Sequence, residues 1–278
     1  MKFENIRVMN FENALRGMRN PKESWHLSDS YFGLESVDNI SERTNGQDYQ
    51  IIYQDGEIAE FASIGPNDMK LAQNLIKAGS EHRKFIRQIF VSVDITAPIY
   101  WWKEFDTYKV GTVANSTSTM HKLMSKPITI DCFEIDDFEN IIYPEEFQRE
   151  DLKYLCDPNV VQMVLIPYLE YLRRKWLKLQ EAIKLPTNDA EYINSLEKQA
   201  KKVWKELVRW LPEAWLQKRT ITMNYENLLA MCSKGQRRFH KLNEWSGVDE
   251  PDLDNFIAFA RTLPYAKEFI FIDEKPTI

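Results

Sequence analysis

The segment of residues 111–121 is rich in side chains that can donate and accept hydrogen bonds to a ligand. It runs Gly-Thr-Val-Ala-Asn-Ser-Thr-Ser-Thr-Met-His and is too polar for a core strand. It follows a predicted strand and helix, and loops held on such a scaffold commonly carry binding residues. Ser118 has no local His–Asp partner, so the segment does not predict a hydrolase nucleophile. Aromatic residues form 13% of the chain, with eight Trp, and their rings can stack on planar ligands.

Other kinds of site are disfavoured by the residue types and their spacing. The three cysteines, Cys132, Cys156 and Cys232, form no CxxC pair, and the four histidines show no HExxH spacing. A zinc enzyme is therefore not expected, and we predict no metal site. The nine glycines form neither GxGxxG nor GxxxxGK[ST], which disfavours Rossmann and P-loop nucleotide sites.

Charge and hydropathy indicate a soluble globular protein. The chain has 278 residues and a formal net charge of −6, which argues against binding to duplex nucleic acid. It contains no apolar run of the roughly 18 to 20 residues that a membrane span requires. The first 20 residues lack a basic region followed by an apolar core, so we expect no signal peptide and a cytoplasmic location.

Periodicity and turn signals predict an α+β fold. Predicted strands include hairpin strands around Tyr49–Tyr53, a strand over residues 84–95 and an extended piece at Thr220–Met223. Predicted helices cover Phe11–Arg16, residues from Pro66 to a C-terminal Gly79, residues from Pro98 to Val110, Tyr225–Lys234, and a final helix at 254–262. Asn224 is the expected N-cap of the helix at Tyr225, and Asn227, being neither Glu nor Gln, predicts no capping box.

Two long amphipathic helices are predicted at residues 158–184 and 188–211. Pro186 separates them and Asn188 is the expected cap of the second, so an αα-hairpin is the predicted arrangement. The run Arg173-Arg174-Lys175 is interpreted as a solvated face. We therefore predict one domain over residues 1–278, with a mostly helical insertion at 123–208.

Four segments occur in a particular order along the chain. Glu81-His82 precedes the predicted strand, the next helix runs into the polar segment, Arg209–Pro212 follows much later, and eleven residues separate Pro212 from Asn224.

This order resembles the flavin-dependent thymidylate synthases. In that family a Glu-His pair precedes a strand, and the next helix ends in R-H-R, followed by seven residues and a serine. A later R-x-x-L-P leads by the same gap to the Asn of N-x-R-x-L. The resemblance covers residues 81–121 and 205–240.

Positions of the family motif can be assigned residue by residue. Tyr108-Lys109-Val110 occupies the R-H-R positions, Ser118 the serine, and Gly111, Ala114, Asn115 and Leu228 match further motif residues. Four parts of the motif differ in this sequence. Tyr108 and Val110 replace the two arginines of R-H-R, and Met120-His121 replaces a closing Arg-Tyr. Glu226 replaces the Arg after the Asn, and Gly235 replaces a substrate-binding Arg, with Arg237 and Arg238 close by. Arg209 also stands one residue nearer its Pro than the family's Arg.

The resemblance implies roles for these positions. It implies FAD contacts at His82, Tyr108, Lys109, Asn115 and Asn224, substrate contacts at Ser116, Thr117, Arg209, Arg237 and Arg238, and a candidate catalytic residue at Ser118. Trp101 and Trp102 are either ring partners or core residues. Guanidinium and ammonium groups would hold the nucleotide phosphate, while the flavin and a folate would carry the hydride and the one-carbon unit.

Three functional hypotheses follow. The first is FAD-dependent one-carbon transfer to a pyrimidine deoxynucleotide, dUMP or a related nucleotide, by a cytoplasmic homotetramer that also uses a folate and a nicotinamide reductant. The second is a catalytically diverged nucleotide-binding or scaffold protein on the same fold, because several charged positions of the family are replaced. The third is an interaction module built on the helical hairpin.

Overall fold

The computed structural model describes residues 1–118, 122–135, 164–187, 189–233, 235 and 237–274. Its strands are β1 (Lys2–Met9), β2 (Tyr31–Ser36), β3 (Gln50–Asp55), β4 (Ile58–Ser63), β5 (Phe90–Pro98), β6 (Val113–Ser116) and β7 (Leu216–Asn224). Its α-helices are α1 (Phe11–Met18), α2 (Ile40–Arg43), α3 (Pro66–Lys77), α4 (Ile99–Phe105), α5 (Ile166–Ile183), α6 (Ala190–Arg209), α7 (Tyr225–Cys232), α8 (Asn243–Ser246), α9 (Phe256–Arg261) and α10 (Ala266–Phe269). The chain is thus a mixed helix-and-sheet protein, as predicted.

The described residues divide into two compact units. The first comprises Met1–Thr96, Lys103–Ser116 and Lys218–Ile278, and the second comprises Ala97–Trp102 and Thr117–Gln217. The organisation as one domain with an insertion at 123–208 stays a prediction. No described helix has the length and apolar content needed to cross a membrane, and no group of three potential metal-ligating His, Cys, Asp or Glu side chains gathers among the described residues.

A four-stranded sheet in the order β1-β5-β7-β6 positions the segments of interest. Strand β5 alternates as the sequence predicts, with Val91, Val93 and Ile95 fully buried and Ser92 and Asp94 partly exposed. Strands β1 and β5 are antiparallel, as are β6 and β7. A second antiparallel sheet, in the order β2-β4-β3, contains the predicted hairpin.

The prediction of a strand from residue 84 is wrong at its beginning. Residues Lys84–Gln88 form a 3-10 helix instead. Phe85 and Ile86 are both buried, and two consecutive buried side chains do not fit the alternation of a half-buried strand. Glu81-His82 therefore does not directly precede β5, because this 3-10 helix intervenes.

Helix α3 begins and ends where the sequence predicts. Pro66 occupies the first turn and Ala78 is the C-cap, so Gly79, with φ of 106°, is the residue beyond the helix. Helix α7 ends at Cys232, two residues earlier than predicted. The helix at 256–261 is not the last of the described chain, because α10 follows it.

Helices α5 and α6 pack against each other in the second unit. Their shared core contains Leu169, Leu172, Val203 and Leu207, and residues of the segment 123–133 join it. Residues 158–163 of the first predicted helix, and Asn188, lie outside the described residues. The observed N-cap of α6 is Asp189, whose carboxylate accepts the Tyr192 N–H at 2.8 Å.

Candidate functional site

A turn after α4 carries the residues at the predicted R-H-R positions. The helix ends at Phe105, earlier than predicted, and the N–H of Tyr108 bonds to the Phe105 carbonyl at 3.0 Å. Such a bond closes a tight turn rather than another α-helical turn. Tyr108 is half-buried, whereas Lys109 and Val110 are exposed. Tyr108 therefore lies beyond the end of α4, although the sequence predicts a helix that runs to Val110.

The ring of Tyr108 lies beside a cation and a second aromatic ring. The Cζ atom of Arg237 is 5.2 Å from the centre of the Tyr108 ring, and the Trp245 ring is 5.9 Å away. Burial raises the pKa of the Tyr108 phenol, and the nearby Arg237 opposes this effect. The turn thus presents a neutral, flat and partly accessible ring next to a guanidinium.

The carboxylate of Glu104 meets two basic groups of the same unit. It accepts a hydrogen bond from Arg237, and its Oε1 lies 3.6 Å from Nε2 of His240. Nδ1 of His240 accepts the Leu242 N–H at 3.1 Å, so the neutral ring carries its proton on Nε2, towards Glu104. Burial lowers the pKa of His240, against the opposing effect of Glu104. At neutral pH the charge of Arg237 is therefore balanced by Glu104.

Arg238 occupies a different environment from its neighbour. Its side chain is buried, donates to the Cys232 carbonyl at 3.2 Å and pairs with Asp273 at 2.7 Å and Glu274 at 3.0 Å. A buried guanidinium with three partners has little capacity left for a phosphate. Arg238 thus ties the segment after α7 to the described C-terminal residues, and its role as a substrate contact stays a prediction.

The N-terminus of α7 packs against the Tyr108–Gly111 turn. Asn224 caps this helix, as predicted, and its side chain accepts the N–H of Asn227 at 3.0 Å. The side chain of Asn227 accepts the N–H of Asn224 in return, at 3.1 Å. The predicted absence of a capping box is therefore wrong, because the shorter amide of Asn completes the reciprocal pair as Glu or Gln usually does.

Glu226, which replaces an arginine of the family motif, is itself bound by two arginines. Arg83 donates to its carboxylate at 2.9 Å and Arg87 forms a second ion pair with it. Burial raises the pKa of Glu226, but the hydrogen bonds from Arg87 and Arg83 outweigh this and leave the pKa lowered. Arg87 also donates to the Ser80 carbonyl at 3.1 Å. This carboxylate therefore ties the residues around Glu81-His82 to α7.

The polar segment at 111–121 is in part a strand, which corrects the prediction of a loop. Residues 113–116 form β6, where Asn115 pairs with Thr220 and Ser116 pairs with Arg219 of β7. All four side chains of β6 are exposed. The strand lies at the edge of the sheet, which explains why so polar a sequence can be extended. Asn115 and Ser116 thus lie on a fixed backbone.

Three further predicted site residues, Thr117, Ser118 and Arg209, belong to the second unit. The Thr117 carbonyl accepts a hydrogen bond from Gln217 at 3.2 Å, and the carbonyl of the half-buried Ser118 accepts the Lys122 N–H at 2.9 Å. Met120 and His121 lie outside the described residues. Arg209 is exposed on α6 and pairs with Glu206 at 2.7 Å.

Trp101 and Trp102 are core residues rather than accessible ring partners. Both are fully buried. Their ring centres are 4.9 Å apart at nearly a right angle, and Nε1 of Trp102 donates to the Gln217 carbonyl at 2.9 Å. Of the rings proposed from the sequence, Tyr108 and His82 are the accessible ones.

His82 lines a cavity of 830 Å³ within the first unit. The cavity lies between the residues after α1, helix α3 and the 3-10 helix at Lys84–Gln88. Apolar walls come from Met18, Leu71, Leu75 and Phe85. The charged lining residues are Lys22, Arg19, Lys84 and Glu81, of which Lys84 and Glu81 pair at 3.6 Å. The volume falls within the roughly 300 to 1,000 Å³ of ordinary ligand pockets.

The N-terminal wall of this cavity rests on a buried ion pair that sequence reasoning missed. Arg19 Nε lies 2.6 Å from Asp68 Oδ1, and both side chains are buried. Ser28 and Ser30 each donate to the other oxygen of Asp68 at 2.6 Å. The sequence carried no distinct signal, because an acidic residue such as Asp68 is ordinary in the first turn of a helix.

The comparisons with known proteins concern the fold. The chain is similar to a crystal structure of the flavin-dependent thymidylate synthase ThyX from Helicobacter pylori complexed with FAD and dUMP, with a TM-score of 0.52 and 14% identity over 98% of this chain and 99% of that chain. A second structure of thymidylate synthase X from the same organism, also with FAD and dUMP, gives a TM-score of 0.41 and 13% identity over 83% of this chain and 82% of that chain. No family model and no curated protein sequence matches the chain. The first likeness shows that the chain has the fold of a flavin-dependent thymidylate synthase.

Proposed function

We propose that this protein is a flavin-dependent enzyme that transfers a one-carbon unit to a pyrimidine deoxynucleotide, dUMP or a related nucleotide. The observation that carries the proposal is the likeness, over 98% of this chain, to a thymidylate synthase structure that holds FAD and dUMP. The ordered motif positions in residues 81–121 and 205–240 support it. A folate donor, a nicotinamide reductant and a homotetrameric assembly belong to the same proposal.

The cavity beside His82 supports the flavin part of the proposal. Its walls combine apolar side chains, which suit a planar ring system, with the basic groups of Lys22 and Lys84, which suit phosphates. The residues present therefore fit the cofactor. When bound, the flavin would supply hydride chemistry, while these side chains would place it and balance its charge.

The turn and the edge strand support both parts of the proposal, because the resemblance assigns Tyr108, Lys109 and Asn115 to the flavin and Ser116 and Arg237 to the nucleotide. Lys109 offers an exposed cation to a phosphate, and Arg237, which would have to exchange Glu104 for a phosphate, lies beside the flat ring of Tyr108. Asn115 and Ser116 stand exposed on β6, where their side chains can donate to and accept from a pyrimidine or a ribose. The resemblance also assigns substrate contacts to Thr117 and Arg209, the catalytic role to Ser118 and a flavin contact to Asn224.

Flavin uptake is the first test. The purified protein is incubated with FAD and passed through gel filtration, and its absorbance spectrum is recorded. We expect the two visible bands of oxidised flavin to remain with the protein. The reduced complex is then given dUMP and methylenetetrahydrofolate, and formation of dTMP is followed by mass spectrometry. A protein that takes up no flavin, or that forms no methylated product from any pyrimidine nucleotide, would contradict the proposal.

Charge reversal at the cavity tests the location of the cofactor. Lys22→Glu combined with Lys84→Glu places two anions on the cavity wall, and we expect FAD affinity to fall by about tenfold or more. Lys70→Glu combined with Lys77→Glu is the matched control, because these exposed lysines of α3 do not line the cavity. Equal losses of affinity in the two double variants would argue against this pocket.

A nucleotide-binding protein without flavin chemistry is the second candidate. The observation that favours it is the neutralisation of cations: Arg237 is paired with Glu104, and Glu226 stands where the family has an arginine and binds Arg83 and Arg87. Binding of dUMP in the absence of any flavin uptake would favour this candidate over the first.

A further inference from the structure

The side chain of Asn227 makes two hydrogen bonds in different directions. Its Oδ1 accepts the N–H of Asn224 at 3.1 Å, which completes the capping box of α7. Its Nδ2 donates to the carbonyl of Val110 at 2.6 Å. One amide thus links the start of a helix to a turn more than a hundred residues earlier in the chain.

The turn is also packed tightly against the same asparagines. Gly111 has a φ of 83°, and a Cβ atom there would lie 2.9 Å from Nδ2 of Asn224 and 3.0 Å from Oδ1 of Asn227. Both distances are too short for an ordinary side chain. The backbone of the turn is therefore held by a hydrogen bond at Val110 and by close packing at Gly111.

The helix alone does not require an asparagine at this position. A capping box needs only an acceptor at the third helical residue, and Asp, Glu or Gln can supply one. The bond to the Val110 carbonyl needs a donor, and an ionised Asp or Glu has none. The amide is therefore explained by the turn rather than by the helix.

The turn combines a fixed backbone with side chains that are exposed or only half-buried. Val110 is 89% exposed although its carbonyl is fixed. Lys109 is exposed, and Tyr108 precedes it with its ring beside Arg237. Exposed side chains on a fixed backbone are preorganised for contact with a ligand, because little conformational entropy remains to be lost on binding.

We propose that Asn227 is a positioning residue, which holds the Tyr108–Gly111 turn in the conformation that meets the flavin and the nucleotide. The identity of these ligands rests on the proposed function. The hold on the turn rests on the geometry of Asn227, Val110 and Gly111.

Asn227→Asp separates the two bonds. The variant keeps an acceptor for the Asn224 N–H, and a negative charge in the first turn suits the helix, but it loses the donor to Val110. We expect hydrogen exchange of a peptide covering residues 106–112 to become about tenfold faster, while a peptide covering residues 226–232 of α7 changes little. Asn74→Asp, an exposed position of α3, is the matched control and should leave both peptides unchanged.

Asn227→Ala removes both bonds and should speed exchange in both peptides. If Asn227→Asp speeds exchange in α7 as much as in the turn, or leaves the turn unchanged, Asn227 only caps the helix and the proposal is overturned.

Flavin binding supplies the second measurement. We expect Asn227→Asp to weaken FAD binding about tenfold with little change in melting temperature, whereas Asn74→Asp keeps the affinity of the parent protein. An unchanged FAD affinity in Asn227→Asp would overturn the role towards the ligand. If the parent protein takes up no FAD, the proposed function fails, and the exchange experiment still decides whether Asn227 holds the turn.

Discussion

Asp68 shows how a single buried charge can support a candidate binding pocket. Its carboxylate accepts hydrogen bonds from Arg19, Ser28 and Ser30. Arg19 in turn donates to the carbonyls of Ser24 and Leu27 at 3.3 and 3.1 Å. The polypeptide between α1 and β2 is therefore wrapped around one ion pair, and the cavity wall depends on it.

Asp68→Asn tests this dependence. The variant preserves the shape of the side chain but leaves the guanidinium of Arg19 buried without its counter-charge. We expect the free energy of unfolding to fall by about 3 kcal/mol, in line with the loss of one partner from a buried pair. Urea unfolding followed by circular dichroism measures this change.

Asp55→Asn, at an exposed position of the β3–β4 hairpin, is the control for that measurement and should change stability by less than about 0.5 kcal/mol. A loss in Asp68→Asn as small as that of the control would show that the pair does not support the wall.

Residue types predicted some of the candidate site and missed other parts. Tyr108 and Arg237 were named from their motif positions, and the structure brings them into contact. The pairing of Arg19 with Asp68 joins residues 49 positions apart, and no local pattern encodes such a contact. Arg237 and Arg238 look equivalent in the sequence, but one is half-exposed and the other buried, because only the fold decides which side of the chain faces inward.

At the scale of elements, a carboxylate anchors α5 to the segment before it. Glu170 accepts hydrogen bonds from Arg173 at 2.7 Å and from the Ile128 N–H at 2.9 Å, and Arg173 donates to the Met124 carbonyl at 3.2 Å. Arg173 is thus buried and paired, which corrects its interpretation as part of a solvated face.

The acid stability of the protein should depend on Glu170. The hydrogen bond from Arg173 lowers its pKa to about 2, against the opposing effect of burial, whereas in an unfolded chain the pKa is about 4.3. A lowered native pKa stabilises the fold above the unfolded pKa, and this contribution is lost as the pH falls from about 5 towards 2. The shift corresponds to about 3 kcal/mol at most.

Glu170→Gln removes this titration. We expect the variant to be less stable than the parent at pH 7, and the difference between the two proteins to shrink as the pH falls to 3. Urea unfolding at several pH values measures the difference. A difference that stays constant with pH would show that the titration of Glu170 does not control the acid limb.

Gly79 and Gly111, which both lie outside helices, allow the energetic cost of backbone strain to be measured apart from that of steric crowding. Gly79 and Gly111 both have positive φ, but a Cβ at Gly79 would meet nothing within 4 Å, whereas one at Gly111 would strike Asn224 and Asn227. We expect Gly79→Ala to cost about 1 kcal/mol from strain alone and Gly111→Ala about 1 to 2 kcal/mol more. Urea unfolding of the two variants measures the costs, and equal values would refute the crowding at the turn.

Elements with a strong local signal were predicted well from the sequence. Helix α3 has a Pro near its start and Gly79 after its end, and the apolar spacing of α6 matches its buried face. The 3-10 helix at Lys84–Gln88 was mistaken for a strand because alternation in sequence does not reveal that Phe85 and Ile86 are both buried. Strand β6 was mistaken for a loop because its extended conformation comes from pairing with β7, which lies about a hundred residues later.

At the scale of the whole molecule, fold and sequence diverge widely. The chain shares its fold with the Helicobacter pylori enzyme at 14% identity. Packing accepts many apolar combinations if pattern and volume are kept, which explains how so few identities suffice. This tolerance of apolar packing does not apply to residues that would contact ligands. Several of those positions differ from the family motif.

The prediction at the scale of the whole molecule concerns its oligomeric state. The resemblance implies a homotetramer with flavin sites shared between subunits. We expect light scattering after gel filtration to give the mass of four chains at micromolar concentration. A single-chain mass under these conditions would contradict the shared sites and would leave the cavity beside His82 as a flavin pocket formed by one chain alone.

The strand order of the four-stranded sheet has a consequence for biosynthesis. Strand β7 lies between β5 and β6, yet it is the last of the four to leave the ribosome, after roughly a hundred further residues have been added beyond β6. At about 5 to 20 residues per second, this interval is on the order of ten seconds. During it, the nascent chain carries one open edge of the apolar strand β5. The yield of folded protein should then depend on whether this edge is protected from aggregation during translation.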